Sequence, residues 1–169
     1  MAVGITWLVL ISYVVWTHGQ LPKQVAVHFG AGGEPDRWSS PRELTLAISM
    51  VATLEFLTFT GIAWFLPRIS QTHWNLPNKN YWLAPERAVG TTTRIGRDLL
   101  AMAFATLLLL GAVHWDVVQA NQVRANQELA ITIGAVVVYM FLLAGILVTM
   151  ILHFRRIPSP PLDDSRLRQ

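Results

Sequence analysis

The chain has 169 residues, 53% of them hydrophobic and 14% charged, with a mean hydropathy of +0.41. Soluble domains carry about 25% charged residues, so this composition argues against an ordinary water-soluble domain and for a membrane protein. The lack of cysteine excludes disulfides and thiolate chemistry. The net charge of +3 resides at the ends of apolar runs and not along one soluble face, which argues against nucleic acid as a partner.

The first predicted element is an apolar helix over residues 2–20. No basic residue precedes it and no convincing cleavage site follows, so a secretory signal is not expected. At 1.5 Å per residue it would reach roughly 25–30 Å, just enough to span a bilayer core.

Residues 21–42 then break the helical pattern. Val25, Val27 and Phe29 alternate with Gln24, Ala26 and His28, the period of a short half-buried strand. Gly30, Gly32 and Gly33 call for a turn. Glu34, Pro35, Asp36, Arg37 and Trp38 follow as a polar and aromatic cluster. The expectation is one strand and a glycine turn, with Val25, Val27, Phe29 and Trp38 packed on the helix ends. His28, Glu34, Asp36 and Arg37 are left to shape the exposed edge, with His28 expected to donate a hydrogen bond to Asp36.

Ser40-Pro41-Arg42-Glu43 reads as a helix start: Ser40 as N-cap, Pro41 at N1, Glu43 at N3. The second helix is predicted over 43–66, stopping at Pro67-Arg68. Glu55 lies at its centre. A carboxyl at that depth is costly in lipid and is expected to face the bundle interior. Thr106 and Tyr139 fall at similar depth in the later helices.

Residues 69–96 are predicted to be an interfacial loop. Pro77 and Pro85 interrupt it, and its Trp74, Tyr81 and Trp82 are rings that favour the headgroup region. Asn75, Pro77, Asn78, Tyr81, Trp82, Pro85 and Arg87 form its motif, as a plain connector or as a docking surface. A third helix over 97–119, a short polar turn and a fourth helix over 129–154 follow. The short turn makes these two antiparallel neighbours, and the small pairs Ala101/Ala105 and Ala130/Gly134 permit close contact. The proline-rich, charged stretch 158–169 is expected to be a flexible tail.

The predicted fold is therefore an all-α membrane protein of four transmembrane helices with one small ordered extracytoplasmic loop. Arg68, Lys79, Arg87, Arg94, Arg97, Arg155, Arg156, Arg166 and Arg168, nine of the thirteen basic residues, lie on one side of it. By the positive-inside rule both termini are cytoplasmic and the His-Phe loop faces outward.

Leu21, Pro22, Val27, His28, Phe29, Gly33, Pro35, Asp36 and Trp38 resemble the motif of the bacterial membrane family of domain of unknown function 1648, with Gly30 where relatives often carry Asn. The stretch NLPNKNYWLAPER, Asn75–Arg87, is similar to a segment found in such relatives. The resemblance implies kinship with SdpI-type immunity proteins, which protect a producing cell from its own toxin and relay its presence. It implies an inner-membrane location and a protein or peptide partner beside the lipid bilayer.

No catalytic signature is present: no HExxH, GxSxG or P-loop occurs, and Gly30–Gly33 lacks the βαβ setting of a dinucleotide site. His18, His28 and His114, with Glu34, Asp36 and Asp116, gather at one predicted face, but their spacing matches no ligand pattern. The expectation is a non-enzymatic protein without cofactor or metal, which senses or binds an extracellular peptide or envelope component. The alternatives are an accessory subunit of a larger membrane complex and a metal-dependent membrane enzyme or transporter.

Overall fold

The computed structural model describes residues 1–30, 34–71, 74–122 and 130–158. The chain is mostly helical with a two-stranded sheet, in the order α1 (Ala2–His18), β1 (Val25–Phe29), β2 (Pro35–Ser39), α2 (Pro41–Phe65), α3 (Lys79–Trp82), α4 (Pro85–Gln122) and α5 (Ala130–Arg155). Leu66–Arg68 add a 3-10 turn to the end of α2.

α1 is shorter than the pattern predicts. It ends at His18 because Gly19 is a poor helix former and Pro22 biases Leu21 towards extended backbone; the amide of Gln20 closes the last turn on the Thr17 carbonyl at 2.9 Å. Its 17 residues measure about 25 Å, short of the roughly 30 Å core of a bilayer. Three other segments, Pro41–Arg68, Pro85–Gln122 and Thr132–Arg155, are long and apolar enough to cross a membrane. The apolar window of Thr132–Arg155 is 0% buried within the protein. So large an apolar surface requires lipid or a partner to cover it.

α2 starts as its sequence predicts. The Ser40 hydroxyl accepts from the Glu43 amide at 3.2 Å, the Glu43 carboxylate accepts from the Ser40 amide at 3.0 Å, and Pro41 occupies the first turn.

α4 corrects the boundary expected at residue 97. It begins at Pro85, so the stretch 69–96 is not a continuous loop, and α3 adds one further turn within it. Proline breaks what precedes it but is suited to the first turn of a helix. The Ala84 carbonyl accepts from the Arg87 and Ala88 amides, and the Thr91 hydroxyl donates to the Trp82 carbonyl at 2.8 Å. Thr91, Thr92 and Gly96 are buried. Gly96 lies close against α2: a Cβ there would meet the Ala63 backbone at 3.4 Å.

α4 is the hub of the bundle, packing on α1, α2 and α5. The core is Val3, Leu10 and Val14 of α1, Ala52 of α2, and Ala103 and Leu107 of α4. The small residues Ala52 and Ala103 let the backbones close in, and Trp7 locks α1 to α2 by stacking on Phe56 and donating to the Thr53 hydroxyl at 3.1 Å. Of the small pairs expected to seat helices, Ala105 is buried but Ala101 is exposed. Gly134 has open space around it. The Ala130 side chain, the turn after Gln122, Gly32 and Gly33, and the tail from residue 159 lie outside the described residues.

Candidate functional site

The candidate site is the hairpin that joins α1 to α2. β1 and β2 pair antiparallel, with Val25 opposite Ser39, Ala26 opposite Trp38, His28 opposite Arg37 and Phe29 opposite Pro35. The Gly30 amide donates to the Glu34 carbonyl at 2.9 Å and closes the turn. One strand was expected; the second escapes the pattern because Pro-Asp-Arg-Trp carries little strand propensity. Proline is tolerated as the first residue of an edge strand, where no ladder amide is needed.

The register is irregular around Ala26, His28 and Phe29, and this bulge breaks strict alternation. Val25 and Ala26 are both buried, at 0% and 3% exposure, while Val27 and Phe29 are half-buried. Trp38, expected to pack inward, is 54% exposed. The whole run Glu34, Pro35, Asp36, Arg37 and Trp38 faces out. Over it, His28 Nδ1 donates to Asp36 Oδ1 at 2.5 Å, both side chains more than half exposed.

What holds this hairpin to the bundle is Asn121, in the last turn of α4. Its Oδ1 accepts from the Ala26 amide at 2.8 Å, and its Nδ2 donates to the Ala26 carbonyl at 3.0 Å and to the Val117 carbonyl at 2.7 Å. One side-chain amide thus satisfies both backbone groups of Ala26, as a third strand would. Gln122 donates to Gln20 at 3.2 Å beside it, and His18 pairs with Thr45 at 2.9 Å.

The histidines of this end are kept apart. His114 is fully buried on α4, its Nε2 2.8 Å from the Thr17 hydroxyl and its ring edge-on to Tyr13. The Thr17 hydroxyl also reaches the Tyr13 and Val14 carbonyls, at 3.0 and 3.1 Å. His18, His28 and His114 therefore have separate partners, and among the described residues no three metal-ligating side chains converge. Asp116 accepts from Thr132 and ties α4 to α5.

Deeper in the bundle, Thr106 and Tyr139 meet across α4 and α5, hydroxyl to hydroxyl at 3.1 Å, and the Thr106 hydroxyl reaches the Met102 carbonyl at the same distance. Glu55 approaches the Thr106 hydroxyl closely enough to interact electrostatically, yet both carboxyl oxygens are enclosed without a hydrogen bond of full geometry.

The Asn75–Arg87 motif lies at the opposite end and serves a structural purpose. Asn78, in the left-handed region at φ 53°, donates from Nδ2 to the Phe154 and Arg155 carbonyls at 3.1 and 3.0 Å. The Trp82 indole donates to the Phe154 carbonyl at 3.0 Å, and its ring lies 4.8 Å from that of His153. These bonds cap α5. Arg87 lies over the Tyr81 ring at 4.1 Å and pairs with Glu86 at 2.8 Å, Pro85 opens α4, and Asn75 and Pro77 are exposed.

The model for DUF1648, Domain of unknown function, matches residues 5–53, which take in most of α1, the whole hairpin and the first half of α2. The chain carries a DUF1648 domain. A stretch of 79 residues is 38% identical to an uncharacterized protein of Archaeoglobus fulgidus, covering 46% of this chain and 41% of that relative. The chain thus matches less than half the length of the relative. No solved structure matches. The DUF1648 boundaries end midway along α2, before Glu55, so neither the Thr106–Tyr139 pair nor the α5 cap belongs to the matched region.

Proposed function

We propose that this DUF1648 protein is an integral membrane protein that binds an extracellular peptide or envelope component at its hairpin, without catalysis, in the immunity or signalling manner that its motif suggests. α1 would be the fourth span, its shortfall in length met by local thinning of the bilayer. The hairpin would face outward from an inner membrane, with both termini cytoplasmic, as the distribution of arginine and lysine supports.

One observation carries the reading. The hairpin is ordered and fixed to α4 through Asn121, yet it turns Asp36, Arg37 and Trp38 away from the protein. Fixing each residue's backbone costs about 1–2 kcal/mol, and a connector between two helices needs no such ordered edge. An exposed tryptophan flanked by both charge signs is what a recognition surface requires.

The test is survival against, or binding to, extracellular material for His28→Ala, Asp36→Ala and Trp38→Ala, with membrane abundance measured in parallel. The reading expects normal abundance and impaired binding. Full activity of all three variants would reduce the hairpin to scaffold. Reporter fusions at Ala31 and Gln71 check orientation independently: the first should behave as external and the second as cytoplasmic.

A second reading, an accessory subunit of a larger membrane complex, is favoured by α5. Among the long helices it packs extensively on α4 alone, leaving a broad apolar face. Stoichiometric partners retained through purification would support it.

A further inference from the structure

A cavity of about 670 Å³ opens at the end of the bundle opposite the hairpin, between the first turns of α4 and the last turn of α5. Trp82, Arg94, Thr149, His153 and Arg156 line it together with the apolar rim of Leu152, Ile157 and Pro158. Two of its neutral donors are already committed. The Thr149 hydroxyl donates to the Ile146 carbonyl at 2.9 Å and the Trp82 indole to the Phe154 carbonyl at 3.0 Å.

Among the described residues the charged donors are not committed. Arg94 Nε is enclosed by protein without a hydrogen-bond partner. Neither Arg94 nor Arg156 belongs to either of the two ion pairs found among the described residues, His28–Asp36 and Arg87–Glu86. Asp98, one turn beyond Arg94, is the neighbouring carboxylate. Both act electrostatically on His153, but Asp98 does not line the cavity. The negative end of the α5 dipole would oppose an anion here, but its Phe154 and Arg155 carbonyls are engaged by Asn78 and Trp82. Two guanidinium groups that form no ion pair among the described residues thus face the cavity, beside the His153 ring.

We propose that this cavity binds a phosphate group through Arg94 and Arg156, presented by the headgroup of an anionic phospholipid. Guanidinium forks match phosphate oxygens in pairs. Leu152 and Ile157, each about half exposed, give the rim an apolar face at the end of a candidate span, where headgroups lie. Basic pockets between membrane helices recognise anionic headgroups on this chemistry.

The test uses the full chain in nanodiscs and native mass spectrometry. One arm supplies phosphatidylglycerol against a phosphatidylcholine background; the other supplies inorganic phosphate in phosphatidylcholine alone. The expected result is retained phosphatidylglycerol, reduced about ten-fold or more in Arg94→Gln and in Arg156→Gln, as loss of a charge-assisted hydrogen bond requires. Arg97→Gln, outside this cavity, should leave retention unchanged. Inorganic phosphate bound with the same arginine dependence, and no preference for phosphatidylglycerol, would confirm the phosphate site and move its source from lipid to solution. Arg156 is exposed, so its variant keeps the test readable should Arg94→Gln fail to accumulate. Retention of neither probe, or retention indifferent to Arg156, overturns the proposal.

Discussion

The two polar segments of this chain look alike in sequence and behave oppositely in structure. Both interrupt apolar helices, and both mix tryptophan, proline and charge. The hairpin turns Asp36, Arg37 and Trp38 outward and is held by a residue from elsewhere, Asn121. The segment around Asn78 and Trp82 turns its donors inward, onto the carbonyls that α5 leaves unpaired. A polar aromatic motif is thus either an edge offered to a ligand or a cap consumed by its own fold. What separates the two is where the donors end.

That contrast can be broken by mutation. The largest effect should come from Trp82→Ala, which removes a cap and the ring contacts to Tyr81, His153 and Phe154. Loss of this half-buried ring with its hydrogen bond costs about 2–4 kcal/mol, read as thermal unfolding in detergent. A stability near that of the parent would mean that the segment is not a cap.

Asn78 sharpens the same point. Asn78→Gly keeps the left-handed backbone but loses two hydrogen bonds, an expected cost of about 1–2 kcal/mol. Asn78→Ala adds roughly 1 kcal/mol of backbone strain. Equal effects of the two would show that conformation is irrelevant there.

At the hairpin, Asn121→Ala should leave the helices intact while releasing the strands, at about 1–3 kcal/mol for the orphaned Ala26 groups. Hydrogen exchange at the Ala26 amide is the readout, and unchanged protection would remove Asn121 from its role. Deeper in the bundle, Thr106→Val should cost about 0.6 kcal/mol, typical of a hydroxyl bond between membrane helices. The smallest effect should be His28→Ala. Its pair with Asp36 is exposed, so the loss should stay below about 0.5 kcal/mol by the same unfolding measurement. A larger loss would make the hairpin's exposed edge as structural as the cap.

The sequence made some of this legible. The α2 start could be read because its Ser-Pro-x-Glu signal is local, each residue acting on a backbone group within three positions. The His28–Asp36 bond was foreseeable because a turn brings the two residues together. The shared depth of Thr106 and Tyr139 followed from counting along apolar runs. The misses have a common cause: they depend on contacts distant in the chain. α4 begins at Pro85 because Thr91, Thr92 and Gly96 find burial there. Trp38 faces out because no other element among the described residues covers β2, whose residues 35–38 are all exposed. Asn121 carried no signal, since its partner Ala26 lies 95 positions away.

The length of α4 has one more consequence. Its 38 residues extend about 57 Å, nearly twice the hydrocarbon thickness of a bilayer, and no proline interrupts them after Pro85. One end grips the hairpin through Asn121; the other carries Thr91 under Trp82 and Arg94 at the cavity. One unbroken helix thus carries both the anchor of the hairpin and a wall of the cavity, so their spacing along its axis is set by the residues between Arg94 and Asn121, about 40 Å at 1.5 Å per residue.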